Sequence, residues 1–380
     1  MSDRPIRRLK IANFKSIDSL EITGLSSFSV FAGANGSGKS NFFDALDFVR
    51  LFVLGGIGIA LRTHGGFANI HSAKRRGPDS KKFCFEIECD LCEDKSETPS
   101  AFHYSLCIHD LDSETHIEEC LYANGKKLVE RNRAEVEIYE KGKWTSASVF
   151  PGSYSVLGIS TRRQLTEFLI NLNVYRIEPK DAKEPDISDF DPTRLDRNGQ
   201  NLASVLQRLE SDPEVCENIL DWMEMIVPGI EKIQTEQQSL DSSTALLFKE
   251  EGTKRRFPAH LISDGTIYAL SLLVAVLDAP SDGGMTLIEE PERGLHAKAI
   301  RELVDMMRQQ ASPENPIWLT THSESVVRAL KLRELILVDK VDGRTTMKRA
   351  DAVNLSEKDM ARLGLDEVWL SNLLGGGLPW

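Results

Sequence analysis

The stretch Phe28–Asn41, FSVFAGANGSGKSN, constrains this chain more than any other. It holds the spacing G-x-x-x-x-G-K-S, with Gly33, Gly38, Lys39 and Ser40 at the fixed positions. A run of phosphates packs several negative charges into a small volume. Backbone N–H groups converging at a helix N-terminus meet that charge well. Glycines let such a loop bend and let a ligand come close to the backbone. Asn35, Gly36 and Ser37 fill the loop, and Asn41 follows it. Lys39 is placed to bridge β- and γ-phosphates, and the Ser40 hydroxyl to ligate Mg²⁺. Phe28, Val30 and Phe31 read as a buried strand before the loop. After it, Phe42, Ala45, Leu46, Val49 and Leu51 recur at helical spacing. Strand, loop and helix in this order predict a nucleotide site in an α/β fold.

The 380 residues suffice for two lobes and a sizeable core. The formal net charge is −12. A protein that coats nucleic acid is basic, so any such contact here must use a local patch. The six cysteines form no regular framework. The start, MSDRPIRRLKIANF, lacks the apolar core of a signal peptide, and Leu51–Leu61 is too short and glycine-rich to span a bilayer. A soluble, reduced, cytoplasmic protein without a membrane partner is the expectation.

Arg7–Leu20 reads as a strand and turn, and Glu21-Ile22 leads into a second strand. IANFKSI followed closely by FAGANGSGKSNFFDAL resembles the N-terminus of the SMC, RecF and OLD-type branch of ABC ATPases. That resemblance implies that Lys15 lies against the nucleotide; an exposed lysine at a strand end is the other reading. Lys74, Arg75 and Arg76 form a basic run, read as solvated surface or as a phosphate-backbone contact.

From Lys82 to Val149 the pattern alternates. Phe83, Phe85, Ile87, Cys89 and Leu91 share one face, as do Phe102, Tyr104, Leu106 and Ile108. Asn124-Gly125 is a two-residue hairpin signal. These features predict an antiparallel β-lobe. Cys89 and Cys92, with His103, Cys107 and His109 after them, suggest zinc. Residues three apart on a strand face opposite ways and no second C-x-x-C follows, so free thiols are the preferred reading. Thr161–Leu172 reads as a helix and Leu172–Ile177 as a strand. VYRIEPKDAKEP then occupies the place of the Q-loop of ABC heads, but holds no glutamine, so no sensing residue is carried over. Gln200–Gln234 reads as a helical lobe, without the heptads of a coiled-coil arm.

LISDGTIYALSLLVAVL resembles the ABC signature, with Ser263 and Asp264 as helix N-caps and Gly265 leaving space. The resemblance implies that Ser263, Asp264 and Gly265 reach the γ-phosphate of a nucleotide bound by a second subunit. In MTLIEEPERGLH, an apolar strand ends in Glu289 and Glu290. Ligands of open α/β sheets bind at that end. Glu289 would hold Mg²⁺, and Glu290 would polarise the attacking water. Glu292–His296 matches the D-loop, and His322, beyond the strand Pro316–Thr320, resembles the H-switch. Trp369 and Trp380 mark an apolar tail that either packs on the body or docks a partner. Roughly forty residues follow the last head strand, too few for a Toprim nuclease domain.

The resemblance therefore implies a single ABC-type head over residues 1–380, an α/β P-loop NTPase with a mixed central sheet, an antiparallel β-lobe and a helical lobe. Residues 1–81 would begin the nucleotide lobe, 82–180 form the β-lobe and Q-loop-like connection, and 181–262 the helical lobe. Residues 263–350 would carry signature, Walker B, D-loop and H-switch, and 351–380 the tail. It implies an ATPase that uses ATP and Mg²⁺ and closes into a homodimer around ATP. The setting expected is anti-phage defence or a DNA-associated process, with a separately encoded effector. A RecF-like clamp on nucleic acid and the ATPase subunit of a transporter are the alternatives.

Overall fold

A computed structural model describes residues 5–72, 81–92, 98–111, 114–140, 142–147, 151–160, 162–187, 194–238, 242–280, 283–353 and 364–374. The basic run Lys74–Arg76 and Trp380 lie outside them. The chain begins with strands β1 (Ile6–Phe14), β2 (Ile17–Leu25) and β3 (Phe28–Ala32), then helices α1 (Lys39–Gly55), α2 (Ile57–Thr63) and α3 (Phe67–Ile70). Six strands follow: β4 (Lys82–Leu91), β5 (Ser100–Leu111), β6 (Glu114–Ala123), β7 (Lys126–Asn132), β8 (Glu135–Glu140) and β9 (Lys143–Ser146). Next come α4 (Arg163–Ile170), β10 (Leu172–Tyr175), α5 (Pro179–Ala182), α6 (Leu202–Leu209) and α7 (Pro213–Ile226). Strands β11 (Ile230–Gln237), β12 (Thr244–Glu250) and β13 (Arg256–Pro258) precede α8 (Asp264–Leu277) and β14 (Met285–Glu289). The last elements are α9 (Ala297–Gln310), β15 (Ile317–Thr321), α10 (Glu324–Arg328), β16 (Leu335–Val341), β17 (Arg344–Arg349) and α11 (Leu365–Leu370).

The central sheet runs β10-β14-β15-β3-β16-β17 among the described residues. Its strands are parallel except β17, which pairs antiparallel with β16. Both faces are covered, so the short strands β3, β10, β14 and β15 are buried along nearly their whole length. Alternation divides them between two cores. Val30, Ile288 and Leu319 face the helices α6–α9, while Phe31, Leu287 and Trp318 face α1 and the large antiparallel sheet. Phe31 meets Phe42 at 4.8 Å and Trp318 at 5.5 Å between ring centroids. Each such buried side chain contributes roughly 1.5–3 kcal/mol of transfer free energy. These contacts fix α1, and with it the loop before it.

The antiparallel sheet runs β2-β1-β4-β5-β6-β7-β8-β9. It includes β1 and β2, which the sequence reading assigned to the nucleotide lobe. The Asn124-Gly125 turn has positive φ at both residues, 50° and 75°, as its hairpin requires. Register sets Cys84 opposite Cys107, and the two form a disulfide. The expectation of free thiols is therefore corrected at Cys107. Cys89 is buried in the apolar core, and the described residues hold no cluster of three metal-ligating side chains. Glu119 is buried in this layer, bonded to Tyr104 Oη (2.7 Å), Ser155 Oγ (2.6 Å) and Arg131 Nη1 (3.0 Å). Arg131 in turn donates to the carbonyls of Gly152 and Tyr154, pinning that loop to the sheet.

The helical reading of Gln200–Gln234 runs too far. α7 ends at Ile226, Gly229 turns the chain at φ 97°, and β11 begins at Ile230. β11, β12 and β13 form a separate three-stranded sheet in this region. Trp369 on α11 is fully buried, and Arg328 holds Asp366 beside it at 2.6 Å. Trp369 therefore packs on the body and is not presented for docking.

Candidate functional site

The C-terminal ends of β3, β14 and β15 lie side by side, so Gly33, Glu289 and Thr321 meet. Gly33 N–H donates to Thr321 O at 3.2 Å. A Cβ on Gly33 would stand 2.1 Å from Val338 O, and one on Gly38 1.9 Å from Thr345 Oγ1, so both positions exclude side chains. Gly36 and Gly38 have φ of 77° and 106°. Asn35, Gly36 and Ser40 are exposed, whereas Ser37, Gly38 and Lys39 are buried. Ser37 Oγ is buried without a hydrogen-bond partner. Lys39 Nζ donates to Gly33 O (2.8 Å) and Ala34 O (2.9 Å), the backbone of its own loop. Burial lowers the Lys39 pKa, although Glu290, Glu292 and Glu289 oppose the shift. An anion at the loop would restore the charge's environment.

Ser40 Oγ donates to Glu289 Oε2 at 2.9 Å across 249 residues of sequence. Two oxygen donors thus converge beside the loop, the type of donor a hard cation such as Mg²⁺ takes when phosphates and water complete its shell. Glu290, one residue on, has φ 52°. Its carbonyl accepts from Tyr268 Oη at 2.7 Å, and its carboxylate lies 3.3 Å from His322 Nδ1. Glu292 accepts from Thr321 Oγ1 (2.7 Å) and from the His322 backbone N–H (3.3 Å). Burial raises the Glu292 pKa, and its Oε2 has no partner.

Lys15 lies at the turn between β1 and β2, and Asn41 in the first turn of α1. Lys15 Nζ donates to Asp44 Oδ2 at 2.6 Å, and Asn41 Nδ2 to Ser16 Oγ at 2.7 Å. Ser263 caps α8, its Oγ accepting from Thr266 N–H at 3.1 Å. Asp264 is exposed and paired with Lys183. A Cβ on Gly265 would stand 2.6 Å from Gly294 O, so glycine here permits the contact between signature and D-loop segments. No hydrogen bond or ion pair among the described residues joins Ser263–Gly265 to Gly33–Asn41.

The structure adds residues that sequence reasoning missed. Arg176, in the Q-loop-like connector, bonds both Glu289 (2.6 Å) and Asp44 (2.7 Å). Arg197 reaches Asp47 at 2.9 Å. Burial works to raise the Asp44 pKa, but Arg176 and Lys15 outweigh it and hold the carboxyl below its usual range. The only sequence signal for these partners was an unexplained acid pair, Asp44 and Asp47, on the helix after the loop.

Residues 28–328 match the family described as "AAA domain, putative AbiEii toxin, Type IV TA system". The chain is 20% identical over 354 residues to an ATP/GTP phosphatase of Helicobacter pylori, covering 86% of this chain and 87% of that protein. Its fold is similar to an SMC head bound to the C-terminal winged-helix domain of ScpA, with TM-score 0.56, 17% identity, and 93% and 99% of the two chains covered. It is also similar to the SMC head with an extended coiled coil bound to the C-terminal domain of ScpA from Pyrococcus furiosus. There the TM-score is 0.52, the identity 16%, and the coverage 94% and 98%. The fold is that of an SMC-like ABC ATPase head.

Proposed function

We propose, from the premise that this chain belongs to the AAA domain family whose profile spans residues 28–328, that it is an ATP-hydrolysing switch that closes into a dimer around ATP. It is an ATPase of the SMC-like ABC type. The observation that carries the site assignment is the 2.9 Å bond between Ser40 and Glu289, which joins the phosphate loop to the strand-end acid. Gly33–Asn41 would cradle the phosphates, with Lys39 leaving its backbone acceptors for them. Ser40 and Glu289 would hold Mg²⁺, which would offset charge on the phosphoryl oxygens. Glu290 would orient and polarise the attacking water, and His322 would donate to the γ-phosphate.

Ser263 and Asp264 of the signature are exposed. Their exposure supports action on the nucleotide of a second chain, with two ATP molecules held between two protomers. The family description supports a setting in a toxin–antitoxin system, and the ScpA-bound heads support a protein partner. No helix among the described residues is long and apolar enough to cross a membrane. The test is ATP hydrolysis together with ATP-dependent association in size-exclusion chromatography. A wild-type chain that neither hydrolyses ATP nor changes its elution volume with ATP would overturn the proposal.

A further inference from the structure

Arg176 stands one residue beyond β10, where the connector leaves the sheet. Its guanidinium spans two acids from different elements. Nε donates to Glu289 Oε1 at 2.6 Å, and Nη2 to Asp44 Oδ1 at 2.7 Å. The other Glu289 oxygen accepts from Ser40, and the other Asp44 oxygen from Lys15. The backbone behind Arg176 is anchored, its N–H donating to Arg197 O at 2.8 Å and that of Glu178 to Asn198 O at 2.9 Å.

A glutamine here would only hydrogen-bond. An arginine also neutralises. Glu289 ends β14 bonded to Ser40 of the loop, and Glu290 follows it, so a phosphate chain entering without metal meets carboxylates there. We propose that Arg176 is a built-in counter-cation for Glu289: it neutralises the metal-free site, competes with Mg²⁺ for that carboxylate, and remains on Asp44 when Mg²⁺ takes Glu289. The inference rests on the reading of this site as an ATP–Mg²⁺ site. It makes Arg176 a positioning residue with two opposed effects. It favours nucleotide without metal, and it raises the Mg²⁺ concentration needed to complete the site.

The experiment titrates a fluorescent ATP analogue into the full chain, first in EDTA and then at fixed nucleotide with rising MgCl₂. In Arg176→Gln, affinity in EDTA should fall about three- to tenfold, the scale of one partly screened charge pair. The Mg²⁺ concentration for half-maximal tight binding should fall as well, by a similar factor. Arg176→Lys keeps the charge without the fork, so its affinity in EDTA should stay within about twofold of wild type. A site merely loosened by mutation would instead weaken binding in EDTA and demand more Mg²⁺. An unchanged or raised Mg²⁺ requirement in Arg176→Gln overturns the inference, as do equal losses for the Gln and Lys variants in EDTA. A wild-type chain that binds no nucleotide at any Mg²⁺ concentration overturns the underlying site reading instead.

Discussion

His322 Nδ1 lies 3.3 Å from Glu290 Oε1, so the ends of two neighbouring strands present an imidazole and a carboxylate to one point. Glu290 holds a left-handed backbone, φ 52°, which costs a non-glycine residue on the order of 1 kcal/mol or more. Three bonds hold it there: its N–H donates to Thr320 O at 2.9 Å, and its carbonyl accepts from Tyr268 Oη at 2.7 Å and from Arg293 N–H at 3.1 Å. Glu290→Gln keeps the size and this backbone but removes the negative charge that polarises water. We expect ATP binding to survive and turnover to fall by about two to four orders of magnitude, the range of a general base. The variant should accumulate as an ATP-bound dimer in size-exclusion chromatography. Wild-type turnover in Glu290→Gln would remove Glu290 from the role.

Lys39→Ala should abolish ATP binding measured by calorimetry, since it deletes the cation at the loop. Glu289→Gln should behave differently. It leaves the loop and Lys39 intact, so nucleotide should still bind while more Mg²⁺ is needed for turnover. If Glu289→Gln is the trapped dimer and Glu290→Gln turns over normally, the two acids exchange roles.

The antiparallel layer carries a stability test away from the nucleotide. Glu119 and Arg131 are both buried and bonded at 3.0 Å. Arg131→Met leaves a buried carboxylate without its counter-charge and releases the carbonyls of Gly152 and Tyr154. We expect a loss of about 3–5 kcal/mol in denaturant unfolding. Glu119→Leu combined with Arg131→Met removes both charges and should cost clearly less than the single change. Equal losses in the single and double variants would show that the charge is not what matters.

The phosphate loop, the strand-end acids and His322 were legible because each motif encodes its own local backbone: glycines at positive φ, an apolar strand, a polar residue at its end. Arg176 was not. Its partners lie 113 and 132 residues away, and an arginine–carboxylate pair has no spacing to read. The same limit hid the membership of β1 and β2 in the antiparallel sheet, since pairing with β4 is a long-range choice. Cys84 and Cys107 became partners only through the β4–β5 register. The third sheet is a different case. Pro228-Gly229 announced a break after α7, but the apolar spacing up to Met223 was extended past it.

The dimer proposal predicts complementation between two defective chains. Gly265 is the obvious position to block, yet a side chain there would press on Gly294 O of its own D-loop segment, so a defect could arise within one chain. Asp264 is the cleaner choice. It is exposed, it is not the cap of α8, and Lys183 is its bonded partner. Asp264→Arg places a bulky cation at the front of the signature and leaves the phosphate loop untouched. The variant should bind ATP with wild-type affinity and remain monomeric. Lys39→Ala chains should bind no ATP and also remain monomeric. Mixed together, they can form one complete site, from the phosphate loop of the first chain and the signature of the second. A heterodimer should then appear only with ATP, and with about half the sites of the wild-type dimer, as one composite site per pair requires. Tagging one chain and measuring its ATP-dependent capture of the other reads this directly. Capture that does not depend on ATP, or no capture while wild-type chains associate, would show that the signature does not act across the interface.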